Sequence, residues 1–255
     1  MPDFSKRSYQ KELLDRDDIP FEDIKRNMQE LEFINKYLGG HQITIDGIKH
    51  LMRNQFTDRS IFLSPPGRGR HEVPGWVICE IGCGGGDNLK AIHQWCKKKN
   101  TATKFIGIDI NKDCIAYAKE NCGSLIADFI VSNYKEVKFE QKPDIIFSSL
   151  FCHHFTNEEL VEQLNWMKEN STTGFFINDL HRHYLAYYSI KLLTKLFSKS
   201  YLVKNDAPLS VARGFKKEEI QNLVNLSTCN PVNIKWKWAF RWLIIYPNPK
   251  GNEYN

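Results

Sequence analysis

Apolar positions along the chain change rhythm part of the way along. Over residues 21–38, Ile24, Met28, Leu31, Ile34 and Leu38 recur at helical spacing, and Gly39-Gly40 predicts a stop. A second helix is expected over "TIDGIKHLMRNQF", with Thr44 as its cap. The loop "SPPGRGRHEVPG", residues 64–75, is the best boundary in the chain. It sets off an N-terminal helical extension, residues 1–74, from a domain over 75–250. Beyond it, short buried runs alternate with helical ones. "WVICEIG", "KFIGIDI", "LIADFIV", "PDIIFSSLF" and "TGFFINDL" read as strands, separated by amphipathic helices. Such alternation means βαβ units and a parallel sheet covered on both faces. Near the end, Val232, Ile234, Trp236 and Trp238 alternate with polar residues, the mark of a half-buried antiparallel strand. The fold class is therefore α/β, a doubly wound seven-stranded sheet, mostly parallel with a C-terminal antiparallel hairpin. One helix breaks the alternation. "YLAYYSIKLLTKLFSKSYL" is apolar nearly all round, so it must be covered on more than one side. It reads as a lid inserted over residues 181–206, and a subunit contact or a membrane surface are the other covers it could find.

Composition narrows the class little. The 255 residues carry a net charge of +5, with 42 % hydrophobic and 25 % charged positions, as in an ordinary globular protein. The lysine runs at 97–99 and 216–217 fall at helix ends rather than in one patch, which disfavours nucleic acid as a partner. The seven cysteines are scattered without a C-x-x-C pair, so reduced thiols and a cytoplasmic location are expected. No apolar run approaches a membrane span.

The stretch "CEIGCGGGDNL" carries the first chemistry. A nucleoside triphosphate would need a Lys-Ser or Lys-Thr after the glycines, and there is none. A dinucleotide would need a third glycine where Asp87 or Leu89 stands. Asp87, read as a helix cap, and Glu80 put negative charge where pyrophosphate would sit, so the mouth suits a cationic ligand. The pattern Glu80-x-Gly82-x-Gly84-x-Gly86 resembles the first motif of class I S-adenosylmethionine-dependent methyltransferases. In that family the ligand is a nucleoside with a sulfonium and an ammonium. Asp109, at the tip of the next strand, then matches the ribose-binding acid, its bland alternative being a helix cap. The resemblance puts Ile110 on the adenine face, Asn133 at the adenine amino group with Asp128 as the competing register, and Ser149 beside the cofactor. It also implies that the N-terminal extension closes over the cofactor.

The fourth strand runs into "SSLFCHHF". In this fold that strand end faces the methyl group, and an imidazole can take a proton near neutral pH. His153 and His154 are thus candidate bases, with Asp179 of "NDLHRH" to orient one of them. Cys152, His153 and His154 are not expected to hold a metal, because adjacent side chains diverge. His181, Tyr188, Leu192 and Arg213 are the expected acceptor pocket. "HH" and the "S-V-x-R-x-F" pattern of Ser210, Arg213 and Phe215 resemble small-molecule methyltransferases of the quinone-biosynthesis and polyketide type. The resemblance implies methyl transfer to a small, partly apolar acceptor, through the oxygen of a phenolic, quinol or polyketide-type compound, by a monomer or homodimer. The alternatives are an NAD-dependent oxidoreductase and a non-catalytic cofactor-binding module. RNA and other amino-group methylation is disfavoured, since no N/D-P-P-Y/F-like tetrad stands at the fourth strand.

Overall fold

The computed structural model describes residues 2–16, 18–53 and 75–249. The expected 64–75 boundary and the end of the second helix lie mostly outside them. The strands are β1 (Trp76–Ile81), β2 (Thr103–Asp109), β3 (Ala127–Val131), β4 (Ile145–Ser149), β5 (Gly174–Leu180), β6 (Asn233–Lys237) and β7 (Arg241–Pro247). They form one sheet in the order β3-β2-β1-β4-β5-β7-β6. β1 to β5 are parallel, and β7 enters antiparallel between β5 and β6. The hairpin is therefore folded with its apolar arm inward. β7 is buried almost throughout, while β6 is the edge strand and keeps Lys235 and Lys237 there. Charged edges of this kind discourage pairing with another chain.

The helices are α1 (Phe21–Tyr37), α2 (Gly40–Arg53), α3 (Asp87–Lys98), α4 (Lys112–Asn121), α5 (Asn157–Asn170), α6 (Tyr184–Phe197), α7 (Tyr201–Arg213) and α8 (Lys217–Leu226). One sheet face is covered by α5 and α8, through Leu160, Leu164, Ile220 and Leu223. The other is covered by α2, α3 and α4, through Ile43, Leu51, Ile92 and Ile115. Hence α2 is part of the core layer, and burying each such side chain contributes about 1.5–3 kcal/mol. Gly47 lets it lie close, since a Cβ there would come within 2.6 Å of the Phe176 ring.

Two expectations about helix ends are corrected. Thr44 does not cap α2. It lies inside the helix, and its hydroxyl sits 3.2 Å from both Gly40 O and Asn88 Oδ1. The lid is not one helix but two. Between α6 and α7 the Glu30 carboxylate of α1 accepts the amides of Lys199 (2.9 Å) and Ser200 (3.0 Å) and the hydroxyl of Ser198. A single acid from a distant helix thus breaks a run that its own periodicity would continue.

Candidate functional site

The parallel strands deliver their chemistry to one edge of the sheet. After β1 the chain turns through Gly82, Gly84 and Gly86, with φ of +66°, +49° and +74°, the left-handed region that glycine enters without strain. A Cβ at Gly82 would overlap the Phe151 ring. Gly86 takes the cap position of α3, so Asp87 is the first helical residue and not the cap. The Asp87 carboxylate accepts Asn35 Nδ2 at 2.9 Å and pairs with His41 Nε2 at 2.7 Å. Burial raises its pKa, but these partners hold it below the ordinary value. α1 lies over this turn, with Met28 against Gly84 and Gly85.

Asp109 ends β2. Its carboxylate accepts the Gly84 amide and the Asn111 amide, both at 2.9 Å. Asn111 caps α4 through the amides of Asp113 and Cys114, so Asp109 is not needed as a cap. Burial raises its pKa. Ile110 beside it is 74 % exposed, open to a flat ligand. Asn133 follows β3, where its side chain accepts the Lys135 amide. The competing Asp128 points elsewhere, paired with Lys104 at 2.8 Å.

Glu80 is buried beneath the turn. Asn88 donates to one oxygen at 3.0 Å. Burial, then the charges of Asp87 and Asp109, push its pKa well above normal. Four buried polar atoms here have no partner among the described residues: Glu80 Oε2, Ser149 Oγ, Asn178 Oδ1 and Arg241 Nη1. Buried polar groups are normally satisfied, so this set calls for a ligand with donors and acceptors of its own. S-adenosylmethionine fits. Its cationic methionine end answers the acids, and its carboxylate answers the arginine. Arg241 has no counterpart in the sequence reading. Its Nη2 donates to Asn35 Oδ1 at 2.9 Å, and burial lowers its pKa to about 10.

The histidines sit in a short turn, Cys152–His154, after β4. Leu150, just before it, has φ of +53°, a conformation that costs a bulky residue about 1–3 kcal/mol and recurs at functional sites. The two rings do not diverge, as expected, but lie tilted with centroids 4.5 Å apart. His153 is buried, with Nδ1 2.8 Å from Asp179 Oδ1 and Nε2 3.5 Å from Glu12 Oε1. Burial alone would lower its pKa. Asp179 and Glu12 overcome that and raise it to about 9. His154 is the more open ring. Its Nδ1 is 3.2 Å from Asp15 Oδ1, and its Nε2 is 3.7 Å from Glu12 Oε2.

Glu12 and Asp15 come from an N-terminal strap that no sequence motif singles out. The strap is docked by Asp206, whose carboxylate accepts the amides of Leu13 and Leu14 at 2.8 and 3.0 Å. Arg213 is buried and holds strap and histidine turn together, donating to His153 O at 3.1 Å and Gln10 O at 3.0 Å. It is therefore a brace and not part of the pocket wall. Arg7 adds donations to the carbonyls of Arg213, His153 and Phe155. Only a weak local signal, acids near an apolar pair in "KELLDRDD", marked the strap.

Glu12, His153 and His154 bring donor atoms within 4.8 Å of one another, and could hold a metal ion. A metal ion there would have to displace the proton that Asp179 and Glu12 favour on His153.

Glu12, both histidines, Asp206 and Arg241 are among the polar groups lining a cavity of about 290 Å³. Its apolar walls include Ile34 and Leu38 of α1, Ile190 and Leu193 of α6, and Trp238. The other expected pocket residues lie outside. Tyr188 packs on Phe4 and Tyr187, Leu192 is exposed, and His181 accepts Trp236 Nε1 and meets the edge of Trp242.

A doubly wound sheet with an antiparallel β7, a glycine turn after β1 and an acid at the tip of β2 define a class I methyltransferase fold. The chain belongs to the family described as "Methyltransferase domain", whose model matches residues 72–224. Solved structures agree on the fold. The plantazolicin methyltransferase BpumL, in complex with a pentazolic desmethylPZN analog and S-adenosylhomocysteine, is 15 % identical with a TM-score of 0.57, over 89 % of this chain and 96 % of that one. Human N-acetylserotonin methyltransferase, in complex with S-adenosylmethionine, is 13 % identical with a TM-score of 0.56, over 90 % of this chain and 56 % of that one. No curated protein matches the chain.

Proposed function

We propose that this S-adenosylmethionine-dependent methyltransferase acts on a small, partly apolar acceptor through a phenolic, quinol or polyketide-type oxygen, with His154 as the base. The carrying observation is a mostly apolar cavity lined by two imidazoles, each backed by its own carboxylate. The S-adenosylhomocysteine and S-adenosylmethionine bound in the two structural neighbours, and the unpartnered buried atoms around the glycine turn, support the cofactor assignment.

When bound, S-adenosylmethionine supplies an electrophilic methyl group. The protein's residues do the rest. Asp109 takes the ribose hydroxyls, and Glu80 meets the positive methionine end. The cavity walls hold an aromatic acceptor and exclude water, so that proximity replaces collision. Asp15 accepts the Nδ1 proton of His154, which leaves the Nε2 lone pair free. At 3.7 Å Glu12 is beyond hydrogen-bond range of that nitrogen. Nε2 then takes the acceptor's hydroxyl proton as the oxygen attacks. His153, protonated between Asp179 and Glu12, is a positioning residue. The cavity is open, which is the observation that a non-catalytic module would have lacked.

His154→Gln should lower kcat about 10²–10⁴-fold, with S-adenosylhomocysteine affinity unchanged by calorimetry. Full activity of that variant on phenols that the wild type methylates would remove the base assignment. Preference for an amine over every phenol in a panel would remove the oxygen acceptor.

A further inference from the structure

The outer face of the lid is unlike ordinary protein surface. Around α6, Leu185, Tyr188, Leu192 and Leu196 point away from the buried Ala186 and Thr194, and all four are exposed. Leu196 is 64 % and Trp238, in the β6–β7 turn, 68 % exposed. On α1, Phe33 and Tyr37 are also exposed, with ring centroids 4.4 Å apart. They lie on the same three segments whose residues Ile34, Leu38, Ile190, Leu193 and Ala239 line the acceptor cavity. Large apolar side chains exposed in this number mark an interaction site.

Charge decides what covers it. From residue 180 to 205 the chain holds no Asp or Glu. Lys191 and Lys195 stand four residues apart along the edge of the apolar face of α6. Lys36 stands over the Tyr37 ring at 5.5 Å. Glu30, the acid beside the end of α6, is already engaged by Ser198, Lys199 and Ser200. Leucine and aromatic side chains outward with lysines at the margin form the pattern of a helix lying in a lipid interface. The lysine stems lie along the apolar zone, and their ammonium groups reach anionic headgroups. A second copy of the chain is the poorer partner, since a two-fold contact through α6 sets like-charged lysine stripes against each other.

We propose that α6, with Phe33, Tyr37 and Trp238, docks this enzyme on an anionic lipid surface. A lipophilic acceptor then passes from the lipid between α1 and α6 into the cavity without crossing water. The docking stands apart from the phenol reading, and only the route of the acceptor rests on it.

Co-sedimentation of the full chain with vesicles tests the docking. The protein should bind phosphatidylcholine vesicles carrying about one-third phosphatidylglycerol about tenfold or more tightly than phosphatidylcholine alone, and release at high salt. Leu185→Gln with Leu196→Gln should abolish binding, and Lys191→Glu with Lys195→Glu should remove the preference for anionic lipid. Both should retain S-adenosylhomocysteine affinity, which shows that they fold. Equal or absent binding to the two vesicle types overturns the proposal. So does a wild-type dimer by light scattering that the leucine pair dissolves without any vesicle binding. Vesicle binding with no turnover of any phenol would leave the docking standing and overturn the function proposed above.

Discussion

Arg241 carries one guanidinium nitrogen with no partner among the described residues, 3 % exposed on a strand buried almost throughout. A buried cation in that state is costly unless a ligand anion completes it, and the carboxylate of the cofactor's methionine end is the anion at hand. Arg241→Gln should weaken S-adenosylhomocysteine about 10–100-fold, the worth of one charged hydrogen bond. Methylthioadenosine, which lacks the amino-acid end, should bind the variant and the wild type alike, and calorimetry with both ligands checks this. His153 gives a second expectation. Its folded pKa of about 9 lies above the ordinary imidazole value. The stability it contributes is therefore complete below about pH 6.5 and lost as pH rises through about 9. The melting temperature should fall over that window, and His153→Gln should flatten the fall. Glu80, Asp109 and the histidine pair were legible in the sequence because each stands beside a strand end marked by glycines or by a change of period. Arg241, Glu12 and Asp15 were not. They reach the site through contacts such as Arg241 to Asn35 and Arg213 to Gln10, which no local pattern encodes.

At the scale of the element, the sheet and most helices were readable because strand and helix periods differ. The lid was readable as a helix but not in its phase. An amphipathic helix declares its buried side, whereas one apolar all round fits its neighbours by shape, so Tyr188 and Leu192 were expected where Ile190 and Leu193 stand. Ile190→Ala or Leu193→Ala should raise the acceptor KM several-fold, since each removes part of the cavity's apolar lining. Tyr188→Ala, outside the cavity, should leave KM for a water-soluble phenol unchanged. Steady-state kinetics with one such acceptor distinguishes the two faces of a single helix. The break between α6 and α7 was unreadable for a related reason, because Glu30 imposes it from another element.

For the whole molecule, the cofactor and the acceptor are held by different parts of the chain. The glycine turn, Asp109 and Glu80 belong to the parallel sheet. The groups that orient His154 arrive on the strap, clamped by Arg7, Arg213 and Asp206. A chain begun at residue 19 should bind S-adenosylhomocysteine with an affinity close to that of the full chain, yet turn over at least about a hundredfold more slowly. Calorimetry beside a rate assay would show whether the two properties separate. If they do, proteolytic clipping of the strap has an outcome opposite to simple inactivation. The clipped enzyme would still sequester cofactor and by-product, and so would act as a poison in a mixture with intact copies, its harm growing with its abundance.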